Sequence, residues 1–159
     1  MSNAIARSRP GFRIRAARAV DLDGLLVLEH RCFAGDRLSR RALLRHLQSD
    51  SAALLVAERG GAVVGSALVL FRRDSPAARL YSIAVDGAAR GLGLGAALLG
   101  ASERRARARG ASALRLEVNP ANRAAVRLYE RHGYLPFARV EGYYEDGAPA
   151  VRLRRSLRR

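Results

Sequence analysis

The sequence predicts a single mixed α/β domain, and three observations carry that expectation. Its 159 residues fit one domain. Hydrophobic residues make up 49% and charged residues 27%, close to the globular average, which argues against wholesale disorder. The apolar pattern switches between the two-residue period of strands and the 3.6-residue period of helices, in the order β-α-α-β-β-β-α-β-α-β-β. No linker or repeat interrupts that order. A sheet that is largely antiparallel at first and holds one β-α-β crossover is expected.

Residues 1–11 mix arginine, serine, proline and glycine without periodicity, so they are expected to be disordered, and Met1-Ser2-Asn3-Ala4 reads as an expression scar. The domain is expected over 12–157. Phe12-Arg13-Ile14-Arg15 alternates like a first strand, and Asp21 offers an N-cap for a helix over 22–33 with Leu22, Leu25, Leu26, Leu28 and Cys32 inward. Ser39 can cap a second short helix that turns Leu43, Leu44 and Leu47 inward. Two apolar runs, 53–57 and 63–71, joined at Arg59-Gly60-Gly61, form a hairpin signal, and a third run covers 80–85. A helix is expected from about Gly93 to Arg109, stopped by Gly110, then a strand over 114–118. Asn122 caps a helix that ends at His132 before Gly133, and strands near 134–141 and 149–156 flank the polar turn Glu145-Asp146-Gly147.

The formal charge is +15, and all 29 basic residues are arginine. Without lysine, the chain cannot be a P-loop NTPase or a Schiff-base enzyme, both of which need that amine. The charge implies non-specific affinity for polyanions. Only 6% of residues are aromatic and none is tryptophan, so a base-stacking surface is lacking and specific DNA binding is not expected. Cys32 is the single cysteine, which excludes an internal disulfide and a cysteine-rich zinc site, and the dispersed His30, His46 and His132 give no metal centre. No apolar run is long enough to span a membrane and no secretory leader is recognisable, so a reducing, cytoplasmic setting is expected.

Arg90-Gly91-Leu92-Gly93-Leu94-Gly95 lies between a strand and a helix. Glycines let backbone N–H groups approach a phosphate, and a helix N-terminus adds partial positive charge, so a pyrophosphate ligand follows. The same stretch through Ala96 fits the dinucleotide fingerprint G-x-G-x-x-A, with Glu117 near the place of a ribose-binding acid. Context opposes that reading: the fingerprint should turn directly off its strand, and only about 40 residues follow Glu117, too few for a second mononucleotide-binding half.

Arg90-x-x-Gly93-x-Gly95 matches the R/Q-x-x-G-x-G/A acetyl-coenzyme A motif, and from Phe12 to Leu157 the order of elements resembles the GNAT N-acetyltransferase superfamily. Leu116-Glu117-Val118, Asn122-Arg123-Ala124-Ala125, Leu128-Tyr129-Glu130, Gly133-Tyr134 and Tyr143-Tyr144-Glu145-Asp146-Gly147 are similar to the bacterial ribosomal-protein-alanine N-acetyltransferases. The resemblance implies a GNAT-like fold with splayed central strands and an acetyl-coenzyme A site. In it, Ile83, Ala84 and Val85 would pair with the pantetheine arm as with an added strand. Arg90, Gly91, Leu92, Gly93, Leu94, Gly95 and Ala96 would hold the pyrophosphate, and Asn122 would both cap its helix and contact the cofactor.

Acetyl transfer to an amine requires a base for the ammonium, a donor for the oxyanion and a proton for the departing thiolate. By resemblance Glu117 is the general base, acting through water, and Tyr129 the general acid; Tyr144 is the substitute acid. Each has a plainer alternative. Glu117 lies two residues from Arg115 and alone reads as an ion-paired strand carboxylate, while Tyr129 shares a helix face with Ala125 and His132 and alone reads as core. An α-amine, with an ordinary pKa of about 7.7–8.0 against about 10.4 for lysine, is the easier acceptor to deprotonate. The expected acceptor is therefore a protein or peptide N-terminus; a small amine such as a polyamine, amino acid or aminoglycoside is the alternative, and a non-catalytic polyanion-binding module is the third reading. Association with the ribosome would account for the basic surface. In the family the 34–38 loop and the turn with Glu145 and Asp146 border the acceptor mouth.

Overall fold

The computed structural model describes residues 11–158, so the expression scar and, apart from Gly11, the segment 1–11 expected to be disordered lie outside the described residues. The elements are β1 (Arg13–Ala16), α1 (Leu22–Cys32), α2 (Arg40–Gln48), β2 (Ala52–Arg59), β3 (Ala62–Leu70), β4 (Ala77–Val85), α3 (Leu94–Ala108), β5 (Ala113–Val118), α4 (Arg123–Arg131), β6 (Leu135–Val140) and β7 (Ala150–Ser156). This is the expected order, with short 3-10 turns added before α1 and α3.

The local signals act as their chemistry dictates. Ser39 Oγ accepts the Ala42 N–H at 3.1 Å and Asn122 Oδ1 accepts the Ala125 N–H at 3.2 Å, each satisfying a first-turn donor. Gly60 and Gly61 both take positive φ, 59° and 83°, the backbone that a tight two-residue hairpin turn demands. Asp21 departs from expectation. It closes the 3-10 turn Ala19–Asp21 rather than capping α1 with its side chain, because Arg15 and the Arg18 N–H claim its carboxylate at 2.7–2.8 Å.

The Arg15 guanidinium first, and then the Arg18 N–H, hold the buried Asp21 carboxyl below its ordinary value. Stability from such a depressed carboxylate is present above the unfolded pKa of about 3.9 and is lost as pH falls through the lower folded value. Asp21→Asn is expected to cost about 2 kcal/mol at pH 7. The gap from wild type should close below about pH 4 in urea titrations run across pH.

The strands form one seven-stranded sheet in the order β1-β2-β3-β4-β5-β7-β6. Only β4 and β5 run parallel, with α3 as their crossover. Apolar clusters cover both faces: Leu94, Leu98 and Leu99 of α3 pack with Leu114, Leu116, Tyr129 and Tyr134 on one, and Leu25 and Leu43 pack with Leu54, Val56 and Leu68 on the other. Gly65 on β3 permits the α3 approach, since a Cβ there would meet Leu94 Cδ2 and Leu98 Cδ1 at 3.0 Å and the Ala84 carbonyl oxygen at 3.2 Å. Gly65→Val is expected to destabilise by about 2–3 kcal/mol through overpacking, measured as a fall in the urea midpoint.

One irregularity positions the site. β4 pairs with β5 from Ala77↔Ala113 to Leu80↔Leu116 and no further, although both strands continue. Opposite β3, Leu68 pairs with Ser82 and Val69 with Leu80, leaving Tyr81 as an extra residue on β4. A bulge of this kind bends its strand and adds twist, and here β4 parts from β5 where the bulge lies. The expected splay of the central strands is thus present.

Candidate functional site

A cavity of about 390 Å³ opens at the splay. Its floor is the diverging ends of β4 and β5; α1, the start of α4, and two loops complete its walls. The α1–α2 loop and the β6–β7 loop come from distant parts of the chain and meet where Asp36 Oδ2 accepts the Glu145 N–H at 3.2 Å. Gly35 lies so close to Glu145 that a Cβ would stand 3.0 Å from its Oε2. These are the two segments expected at the acceptor mouth.

Five of the residues given a role from the sequence line this cavity: Ile83, Glu117, Asn122, Tyr129 and the substitute acid Tyr144. The Glu117 side chain is 5% exposed, and three arginines hold it. Its Oε1 accepts from Arg79 Nε at 2.9 Å; its Oε2 accepts from Arg152 Nε at 3.1 Å and from an Arg115 terminal nitrogen at 3.2 Å. A carboxylate offers about four lone-pair sites, so one direction on Oε1 is left for a water or substrate. Arg79 also donates to the Tyr143 hydroxyl at 2.7 Å, which ties the β6–β7 loop to the strand floor.

Tyr129 is buried on α4, with its ring edge-on to Tyr134 at 5.8 Å between centroids. Its hydroxyl has no hydrogen-bond partner among the described residues. Burial first, and then the nearby Tyr144, push the phenol up to about 12. Tyr144, edge-on to Tyr143 at 4.8 Å, also lines the cavity and is likewise pushed up to about 12, mainly by burial. Both phenols are therefore neutral donors at physiological pH. Cys32 is half-buried, donates to the Val85 carbonyl at 3.4 Å, and has its thiol pushed up by burial, so it is no ready nucleophile. His132 Nδ1 bonds the Leu128 carbonyl at 2.8 Å, which satisfies one of the last carbonyls of α4.

The remaining residues form a separate stretch outside this cavity. Ala84 and Leu94 are buried with their side chains in the core, which leaves only their backbones to meet a ligand. Past Leu80 the β5-facing edge of β4 is unpaired in the sheet, so the Ile83–Val85 backbone fits a role as the partner of an extended ligand. Gly91 and Gly93 take φ of 82° and 75°, and at neither position would an added Cβ meet, among the described residues beyond its chain neighbours, another atom within 4 Å. Gly93 precedes α3 without a side-chain cap, so the first-turn N–H groups of a 15-residue helix face an open surface beside Arg90. Backbone donors, open space and one guanidinium suit a pyrophosphate.

Sequence reasoning missed Arg79, Arg152, Tyr143 and Glu29. The arginines carry no local signal, because their relation to Glu117 depends on strand neighbours. Glu29 had one: it falls four residues after Leu25 and three after Leu26, on the apolar stripe of α1, and it is 4% exposed at the cavity wall.

Comparison with known proteins bears on the family and the fold. The acetyltransferase (GNAT) family pattern matches residues 22–134. A curated mycothiol acetyltransferase of Thermomonospora curvata is 38% identical over 100 residues, covering 63% of this chain and 33% of that protein. The chain thus spans about a third of the length of that relative. Among solved structures, the ribosomal-protein-S18-alanine N-acetyltransferase from Escherichia coli superposes with a TM-score of 0.82 at 26% identity, over 93% of this chain and 95% of that one. Ard1 from Thermoplasma volcanium gives a TM-score of 0.83 at 25% identity, over 94% and 99%.

Proposed function

The chain belongs to the GNAT acetyltransferase family, and on that premise we propose that it is an acetyl-coenzyme A-dependent N-acetyltransferase whose acceptor is the α-amine of a protein or peptide N-terminus. The observation that carries this reading is the cavity itself. It ends at the splay between β4 and β5, and the joined α1–α2 and β6–β7 loops border it, so it suits the end of a chain rather than its middle. The likeness to a ribosomal-protein-alanine N-acetyltransferase over nearly the whole chain supports it further.

Acetyl-coenzyme A, when bound, supplies the activated acetyl thioester. The Ile83–Val85 edge would align its pantetheine arm, the Arg90–Ala96 backbone with the Arg90 guanidinium would hold its pyrophosphate, and the Asn122 amide, whose oxygen already caps α4, has its N–H groups left for the cofactor. Glu117 would take the ammonium proton through a water on the free side of Oε1, while its three arginines keep it in place. Tyr129, kept protonated by burial, would donate to the departing thiolate. The excess of positive surface fits a ribosomal setting for the acceptor.

A small-amine acceptor is the second reading, and the identity with mycothiol acetyltransferase favours it. A competition read by mass spectrometry separates the two. Protein and acetyl-coenzyme A meet equimolar peptides with varied free N-termini, an N-blocked lysine peptide, polyamines and amino acids. Acetylation confined to peptide N-termini is expected. Acetylation of small amines alone would move the protein to the second reading, and absence of both product and coenzyme A binding would overturn the enzyme.

A further inference from the structure

Four carboxylates are almost wholly withdrawn from solvent among the described residues, and three have cations. Asp21 pairs with Arg15 at 2.7 Å, Glu103 with Arg155 at 2.8 Å, and Glu117 with three arginines. Glu29 is the exception. It is 4% exposed, yet no arginine or histidine comes within ion-pair distance of it among the described residues, in a chain that carries 29 arginines. Arg37, the guanidinium whose charge bears on it, gives its Nε instead to the Phe33 carbonyl at 2.6 Å.

Glu29 has a structural duty: its Oε1 accepts the Leu38 N–H at 2.6 Å and so pins the α1–α2 loop. A glutamine would make that bond without the penalty of burying a lone charge. The other oxygen, Oε2, has no protein donor among the described residues, and Glu29 lines the cavity. Elsewhere on the cavity wall, Glu117 is already taken by guanidinium groups, and Asp36 is exposed with Oδ2 on the Glu145 N–H. On the strand floor three guanidinium groups, of Arg79, Arg115 and Arg152, share the one carboxylate of Glu117, an excess of positive charge that disfavours an incoming ammonium there. A buried, half-used carboxylate without a counter-ion, facing the place where a cationic substrate must enter, is complementary to that cation.

We propose that Glu29 is the carboxylate that receives the acceptor's ammonium group, through an ion pair completed only when the acceptor is bound. The proposal rests on the reading of this cavity as the acetyl-transfer site. Once the ammonium has given its proton to water on the way to Glu117, Glu29 still accepts one N–H of the neutral amine and aims its lone pair. Burial pushes the Glu29 carboxyl up, the Leu38 N–H and Arg37 pull it back, and a bound ammonium would favour its anionic form further.

The test compares a peptide beginning with a free alanine and its lactyl analogue, in which a hydroxyl replaces the ammonium group. Calorimetry measures binding of each at pH 7 to enzyme saturated with coenzyme A, and kinetics follow the amine peptide. Wild type should prefer the amine by about ten- to a hundredfold, the scale of one charged hydrogen bond. In Glu29→Gln that preference should fall towards one and the acceptor KM should rise about tenfold. The KM for acetyl-coenzyme A and the Tm should hold, because glutamine still accepts the Leu38 N–H. If the acceptor proves to be a small amine, the pair is that amine and the alcohol of the same skeleton. A Glu29→Gln enzyme that keeps the wild-type preference and acceptor KM overturns the proposal, and so does an effect confined to Glu29→Ala, which would leave only the loop-pinning role. A wild-type enzyme that binds coenzyme A but acetylates no amine overturns the reading of the cavity instead, and the proposal with it.

Discussion

Tyr129→Phe is expected to lower kcat for acetyl transfer by about 10²- to 10⁴-fold, the usual range for a positioned general acid. The change removes one oxygen from a ring that is otherwise held by packing. The edge-on contact with Tyr134 survives in phenylalanine, and no protein group among the described residues loses a hydrogen bond to the Tyr129 hydroxyl. Stability should therefore stay within about 0.5 kcal/mol of wild type, which separates a chemical defect from a folding one. Because burial pushes this phenol up to about 12, the hydroxyl keeps its proton through the whole neutral range, and the wild-type rate should show no loss of the acid until strongly alkaline pH. Thiol release, followed with a chromogenic disulfide, checks both points. Tyr144 provides the control, since it lines the same cavity with a phenol at about 12. A large loss with Tyr144→Phe and none with Tyr129→Phe would exchange their roles.

Glu117→Gln is expected to produce two separable losses. Turnover on an α-amine acceptor should fall by about 10²-fold or more, as for removal of a general base. Stability should fall as well, because Arg79, Arg115 and Arg152 lose the single anion that gathers them. Breaking a buried ion pair from one side costs about 3–5 kcal/mol. These arginines are 29%, 30% and 38% exposed, so water takes over part of their charge and about 2 kcal/mol is expected. Chemical denaturation and kcat, measured on the same preparation, distinguish catalysis from structure. If Glu117 served only as an ion-paired strand residue, turnover would fall no further than the folded fraction does. Arg152→Gln isolates the structural share, since it removes one donor from Oε2 and leaves the carboxylate and its Arg79 contact in place.

Much of this was legible one segment at a time. Ser39 and Asn122 cap their helices, and Gly60, Gly61, Gly110 and Gly133 all take positive φ where turns or helix stops were expected. The loop from Arg90 to Ala96 lies between a strand and the N-terminus of α3, as its glycines required. Asp21 shows how such reasoning fails. Its residue type and place satisfied the rule for a helix N-cap, but Arg15, six residues earlier, offered two charged donors and turned the carboxylate away.

The candidate site divides along the same line. Glu117, Asn122 and Tyr129 were found because their spacing in the chain follows a family pattern. Their surroundings had no such trace. After α4 the chain first forms the sheet edge β6 and then returns as β7 between β6 and β5, which sets Arg152 directly opposite Glu117. Arg79 meets Glu117 only because β4 lies beside β5 in parallel register, and Tyr143 joins them only through the fold of the β6–β7 loop. Glu29 became a cavity residue when α1 packed over the sheet and Leu38 came back to it nine residues later.

The sequence by itself determined the order of elements, their caps and turns, and the family to which the chain belongs. These depend on backbone angles and hydrogen bonds within a few residues, which each segment carries with it. Only the tertiary structure decided the strand order, the Tyr81 bulge that opens the sheet, the three arginines on Glu117 and the lack of an ion-pair partner for Glu29 among the described residues. Those arise from register and packing between segments far apart in the chain, where the energy of a side chain is set by which neighbours the whole fold brings to it.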